Sequence, residues 1–342
     1  MKKVILWGLL GIFSTALAEV SISSQPLVFF NTYGLLFVLP LYTFHILFLA
    51  PLAMKKEQPV RFSSLIFAGC LFGLYEAYIT KVLWNPPWND NTVTILQISV
   101  FTFLVIVFFY HTWMSFIFPL LLVEYFVFAD RRIFNSLPEK LQVLFKKRSF
   151  QIMMFIFFGF ANGVGENSFF EAILSVIGSS LIMLLALWLT RKVFSGNQAS
   201  LVDYLPRGKS LIVIGILLLA VYGIHLFGSR PEAFPGLIGH VMIWLAYVGF
   251  GILLYRSQKA SLPEEEKEPL ELPKINGKWF ALTGIYLCSV LLAVAYLKTF
   301  QPYIVMILWG VGIPFGLVLF VKSVMQLSTK KVVLSTEIPQ KL

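Results

Sequence analysis

The chain has 342 residues, of which 58% are hydrophobic and only 13% charged, and a formal net charge of +10. Soluble domains average about 25% charged residues, so the soluble and disordered classes are excluded, and repeated apolar stretches of about 20 residues point to α-helical spans rather than a β-barrel. The basic excess does not indicate nucleic acid. Of the 27 Lys and Arg residues, all but Lys81, Arg230 and Lys298 fall on one side of the apolar ladder, where they orient helices and meet anionic lipid.

Lys2 and Lys3 precede a first apolar segment, Val4 to Ser24. Ala16-Leu17-Ala18 has the small-x-small form of a signal-peptidase site, but multi-span proteins often use the first helix as their own signal, and an uncleaved span is favoured. A second span, Asn31 to Ala53, lands on Lys55, Lys56 and Arg61. A third, Phe62 to Val82, emerges at Trp84 to Asp90, where two Trp around a Pro pair suit an interfacial belt. Thr92 to Ala129 reads as one long segment kinked at Pro119. Two spans there would place Arg131, Arg132, Lys140, Lys146, Lys147 and Arg148 outside, against the positive-inside rule.

Ile133 to Phe145 follows as an amphipathic helix for the cytoplasmic membrane surface, with Ser136-Leu137-Pro138-Glu139 in the form of a capping box. The fifth and sixth spans, Ser149 to Asn162 and Ser168 to Thr190, are joined by a tight outer connection, Gly163 to Asn167. A hairpin follows, Ser210 to Phe227 and Gly236 to Tyr255, with Gly228 to Pro235 outside. The linker Arg256 to Lys278 is too charged to pack and is expected to be flexible and dispensable for insertion, above all Leu262 to Pro273. The last spans are Trp279 to Leu297 and Pro302 to Val321.

The expected fold is an all-α polytopic integral membrane protein of the cell membrane, with about ten transmembrane helices and cytoplasmic N and C termini. It divides into a six-span region at 1–192, a two-span hairpin at 193–255, the linker at 256–278, a second hairpin at 279–322 and a tail at 323–342. No internal repeat of the transporter kind is visible.

Four acids fall in or beside the outer half of spans: Glu19, Glu76, Glu166 and Glu171. Ionisable groups in spans face the bundle interior because lipid exposure costs at least ~2.5 kcal/mol. Helical spacing puts Glu19 on a face with Gly8, Gly11, Thr15 and Ala16. It puts Glu76 with Gly69, Gly73 and Thr80, and Glu171 with Ser168, Ser175, Gly178 and Ser179. Small stripes are where membrane helices approach closely. The expected site is therefore Glu76 facing Glu171, with Glu19, Glu166 and Asn167 at the rim, where free carbonyls of the glycine-rich break help hold a cation.

His45 and His111 lie near mid-membrane as weak candidates for haem or metal. Their neighbours are bulky, and both read as hydrogen-bonded packing residues. Cys70 and Cys288 lie in apolar segments and imply neither a disulfide framework nor a metal site. No cofactor is indicated, and no nucleotide-binding, hydrolase or zinc-protease motif occurs in a usable context. Beyond the bilayer, the expected partner is a small solute or a lipid. Three functions fit: a proton- or cation-coupled transporter, a membrane enzyme acting on a lipid at the outer leaflet with Lys81 as a phosphate contact, or a non-catalytic scaffold.

Overall fold

The computed structural model describes residues 1–56, 58–87, 93–195, 199–259, 272 and 277–329. Most of the linker expected at 256–278, and the tail from 330 onward, lie outside the described residues. The described chain is mainly helical, as a lipid solvent requires of any segment that must satisfy its own backbone groups.

The helices are α1 (Lys2–Val20), α2 (Gly34–Ala53), α3 (Phe62–Ala77) and α4 (Val100–Val127), then α5 (Arg132–Ser136), α6 (Glu139–Lys146) and α7 (Arg148–Gly165). They continue as α8 (Phe169–Phe194), α9 (Leu201–Tyr204), α10 (Lys209–Gly228), α11 (Leu237–Lys259), α12 (Gly277–Leu292) and α13 (Gln301–Thr329). Among the described residues, seven helical stretches are long and apolar enough to cross a membrane. The last of them, Gly277–Leu327, is interrupted by a 3-10 turn at Lys298–Phe300. The protein is a multi-pass integral membrane protein.

The core is built around α3. It packs against α4, α2 and α11, while α1 packs against α2 and α8, and α12 against α7. Gly69 and Gly73 set the tightest of these contacts. A Cβ on Gly69 would lie 2.8 Å from the Thr112 Cα, and one on Gly73 would lie 2.9 Å from the Val107 Cα. Only glycine lets the two backbones meet at this distance.

Loops segregate by charge. On the basic face, Arg132 donates to the carbonyls of Lys56 and Gln58, Arg207 to that of Met54, and the Trp7 indole to that of Tyr204. On the charge-poor face lie the three basic residues that break the asymmetry, and each donates to loop carbonyls. Lys81 donates to His225 O and Ser229 O, Arg230 to Thr80 O and Asn85 O, and Lys298 to Asn167 O at 2.9 Å.

Several expectations need correction. The fourth segment is one continuous helix, but it starts at Val100, after a short antiparallel pair of strands, Thr94–Ile95 with Ile98–Ser99. The third span does not run to Val82. It tightens into a 3-10 turn at Leu74–Ala77, and the chain then turns through Lys81, which has φ +61°. This irregular backbone is tolerated because it is buried in protein. The surface helix is two pieces broken at Leu137-Pro138, and the Ser136 hydroxyl donates back to Ile133 O instead of capping α6. Ile133, Leu137 and Leu141 are buried inside the protein. The segment is held by Glu124 in α4, whose carboxylate accepts the Ile133 and Phe134 N–H groups at 2.7 and 2.9 Å.

Lys81 is fully buried. Its ammonium closes the carbonyl end of α10 and lies 4.7 Å from the centre of the Phe234 ring. A cation there complements the helix dipole, and unsatisfied buried carbonyls cost about 1–3 kcal/mol. Lys81→Met is therefore expected to lower the unfolding temperature in detergent by several degrees. Lys298→Met, at an exposed position, is expected to change it little.

Candidate functional site

Three stretches of non-α backbone meet at one place. Ala16–Val20 closes α1 as a π-helical turn, Leu74–Ala77 closes α3 as a 3-10 turn, and Leu104–Ile117 makes the first half of α4 π-helical. Such irregularities gather at functional sites because they rotate side chains off the helical register. Here they turn Glu19, Tyr75, Glu76 and His111 toward Tyr42 of α2.

The result is a chain of polar groups in contact. The Glu76 carboxylate lies 2.7 Å from His111 Nε2 through Oε1, and its Oε2 accepts from the Thr80 hydroxyl. His111 Nδ1 lies 2.6 Å from the Ser115 hydroxyl. This favours the tautomer in which Nε2–H donates to Glu76 and Ser115 donates to Nδ1. A longer contact of 3.4 Å joins His111 Nε2 to the Tyr75 hydroxyl, which lies 2.8 Å from the Tyr42 hydroxyl. Tyr42 donates to Glu19 at 2.6 Å, and Ser24 donates to the other Glu19 oxygen. Glu76 is 7% and His111 3% exposed, whereas Ser24 is exposed. The chain therefore runs from a loop on the charge-poor face into the protein interior.

An unpaired carboxylate in this environment would be expensive. Each is bound here by partners that donate hydrogen bonds to it. A second, separate chain extends from His45. Its Nε2 lies 3.0 Å from the Tyr222 hydroxyl, which is 3.4 Å from that of Tyr247. The His45 ring packs on Phe72 and Tyr75. Among the described residues, no group of three or more His, Cys, Asp or Glu is placed to hold a metal ion.

Glu19 and Glu76 are thus brought into one network, and Glu171 is elsewhere. Its carboxylate accepts the Asn167 N–H at 3.2 Å, while its own N–H donates to the Ser168 hydroxyl at 3.1 Å. This is the work of a helix N-terminus, and the expected Glu76–Glu171 pairing is corrected on that geometry. Glu166 is buried beside Asn162 and accepts from Ser23 at 2.8 Å. Burial pushes its carboxyl above the ordinary carboxylate range, and the Ser23 hydrogen bond opposes that. A carbonyl of the glycine-rich break does meet a cation, but it is the protein's own Lys298 ammonium on Asn167 O. Lys81, with its donors on the end of α10, is likewise placed as a structural cation rather than a phosphate contact.

Sequence reasoning missed Tyr42, Tyr75 and Ser115 as site members and placed His111 only as a weak haem or metal candidate. Two signals were present: His111 and Ser115 stand four apart, one above the other on a helix, and Tyr42 and Tyr75 are hydroxyl-bearing residues in otherwise apolar spans.

The chain is 28% identical over 323 residues to an uncharacterised protein of Archaeoglobus fulgidus, an alignment that spans 93% of this chain and 96% of the relative. No solved structure matches it. A family model described as an uncharacterised membrane protein family matches residues 8–334, and the chain belongs to that family.

Proposed function

We propose that the protein is a proton-coupled transporter of a small solute, with Glu76–His111 as its proton-binding pair and Tyr75, Tyr42 and Glu19 as the path to the charge-poor face. The observation that carries this is the run of polar contacts between two carboxyls on different helices, one buried and one near a loop, joined at its longest step by the 3.4 Å approach of the Tyr75 hydroxyl to His111 Nε2. Hydroxyls and an imidazole between two carboxyls can pass a proton by successive donation, and an ionisable cluster inside a span marks such relays. The lipid-enzyme reading relied on Glu76 with Glu171 and Lys81, which occupy three separate places. Residues 1–192 carry most of the site, and 193–255 and 279–322 act as scaffold around it.

The corresponding topology is ten crossings with both termini on the basic, cytoplasmic side. The last apolar run is divided at Lys298–Phe300, and Phe62–Ala77 and Arg148–Gly165 complete the set. In a cysteine-free background, a membrane-impermeant thiol reagent added outside is expected to label Cys at Asn85 and not at Asn135. The reverse pattern overturns the orientation.

Transport is tested in proteoliposomes that contain an internal pH dye and a small-metabolite extract. An external acid pulse is expected to drive proton entry above that of protein-free vesicles, and His111→Gln to abolish the excess. Equal entry with and without the protein would sink the reading.

A further inference from the structure

Glu166 stands at the close of α7 with a carboxylate that the proton-binding network does not use. It is buried, as are Asn162 one turn earlier and Ser175 on α8. The Ser23 hydroxyl, in the loop after α1, donates to Glu166 Oε1 at 2.8 Å and lies 3.4 Å from Asn162 Oδ1. Asn162 Nδ2 donates to Val20 O, which turns the amide oxygen toward Ser23. Gly165 lets the loop come this close, since a Cβ there would lie 2.7 Å from that of Ser23. Ser175 belongs to a π-helical turn, Leu174–Gly178. It lies near enough to oppose the upward push of burial on the Glu166 carboxyl. Beside it, Ala172 and Val176 pack on Val290 and Val294 as an apolar wall.

Oxygens outnumber hydrogens in this cluster. Glu166 Oε2 and Ser175 Oγ are buried and have no hydrogen-bond partner among the described residues. Ser23 has one hydroxyl hydrogen, and Glu166 takes it. Tyr286 stands beside Asn162, but an amide oxygen has two lone pairs and keeps one free. The cluster also carries a negative charge, and among the described residues Glu166 is in no ion pair. Lys298 and Glu171 act on it in opposite directions from a distance. The Lys298 ammonium is exposed and donates to Asn167 O instead. A buried charge without compensation is costly, and the negative end of the α7 dipole adds to it.

We propose that this cluster is a binding site for one alkali-metal cation, held by Glu166 Oε2, Ser175 Oγ and Asn162 Oδ1. Carboxylate, hydroxyl and amide oxygens are the ligands of hard cations, and helix C-terminal ends beside a break hold such ions in membrane proteins. A single carboxylate balances a single charge, and a divalent ion would leave one positive charge buried. A proton on Oε2 would serve only one of these oxygens, whereas a cation serves all of them. Access is from the charge-poor face, where Ser23 is half-buried and Asn167 exposed. The site shares no residue with the proton-binding network, so the proposal does not rest on the transport reading.

The experiment uses the full chain in detergent at neutral pH and fixed ionic strength, with sodium or potassium chloride replacing choline chloride. At least one of these alkali salts is expected to raise the unfolding temperature along a saturating curve, as a ligand of the folded state does. The matching radioactive cation is expected to bind saturably in a scintillation assay. Glu166→Gln removes both the stabilisation and the bound label. Ser175→Ala keeps the charge and removes one oxygen, and it weakens apparent affinity about tenfold, the loss of one bond to a charged group. It carries the test alone if Glu166→Gln does not fold. Equal stability in all the salts, or binding undiminished in these variants, overturns the site. Stabilisation by acid alone, with no effect of either alkali cation, assigns the compensating charge to a proton and overturns it too. Proton entry through Glu76 and His111 is measured separately, so the two readings fail separately.

Discussion

Glu76→Gln is expected to leave the protein inserted and folded while proton entry in the liposome assay falls tenfold or more. Gln has the size and shape of Glu and keeps an acceptor oxygen for His111, so the packing of α3 on α4 survives. What it lacks is the ability to take up and release a proton. It also replaces a charge-assisted bond at 2.7 Å with a neutral one. Bonds to charged groups contribute about 1.5–3 kcal/mol and neutral ones about 0.5–1.5 kcal/mol, so this exchange alone is a roughly five- to tenfold effect, and the lost titratable proton supplies the rest. Glu76→Ala is a harsher change, because it leaves both His111 Nε2 and the Thr80 hydroxyl without their acceptor. Infrared spectroscopy gives a readout independent of transport. A carboxyl band that responds to pH should be lost in Glu76→Gln and altered in His111→Gln. Unchanged proton entry in Glu76→Gln would remove the pair from the mechanism.

The charge asymmetry was legible at the level of the loops. It divided the loops into two sets, and in the folded chain members of each set touch their own kind. Gly69, Gly73 and Glu76 also read correctly as one stripe aimed at a close helix contact. The identity of the facing helix was not legible, because spacing along one helix says which face is buried and not what lies against it. That is why the spacing pairs Glu76 with Glu171 although its partner is His111. The network was obscured for a further reason. It depends on π and 3-10 turns at Ala16–Val20, Leu74–Ala77 and Leu104–Ile117, and a face drawn with 3.6 residues per turn does not follow a helix that changes its pitch.

The two helix starts show a different kind of error. Ser136-x-x-Glu139 and Ser168-x-x-Glu171 both have the spacing of a capping box. At the first, Pro138 stands at the N-cap and the Ser136 side chain turns back to Ile133 O. At the second, Ser168 accepts the Glu171 N–H and the carboxylate is taken up by Asn167 N. Reading the second motif would have assigned Glu171 to its own helix and removed it from the site. An acid within the first turn of a span has a local use before it has a functional one, since the helix dipole favours a negative charge there.

The glycine stripe supports the largest structural prediction. Gly73→Ala is expected to destabilise the protein by about 2–4 kcal/mol, the cost of overpacking a close core contact, and Gly69→Ala by a similar amount. At Gly73 the obstacle is wholly α4 backbone, and at Gly69 it is the Thr112 Cα together with that residue's side chain. The new methyl would lie 2.9 Å from Val107 Cα at Gly73 and 2.8 Å from Thr112 Cα at Gly69. To relieve either clash, α3 must move from α4, which draws Glu76 from His111 and opens the buried end of the network. Stability and proton exchange should therefore fall together. Gly251→Ala provides the contrast. Nothing lies within 4 Å of a Cβ there, and replacing glycine inside a helix contributes about 0.5–1 kcal/mol of stability. Thermal unfolding in detergent, followed by loss of the monodisperse peak on size exclusion, ranks the three variants. If Gly73→Ala and Gly251→Ala proved equally stable, the close approach of α3 and α4 would not be what holds Glu76 against His111.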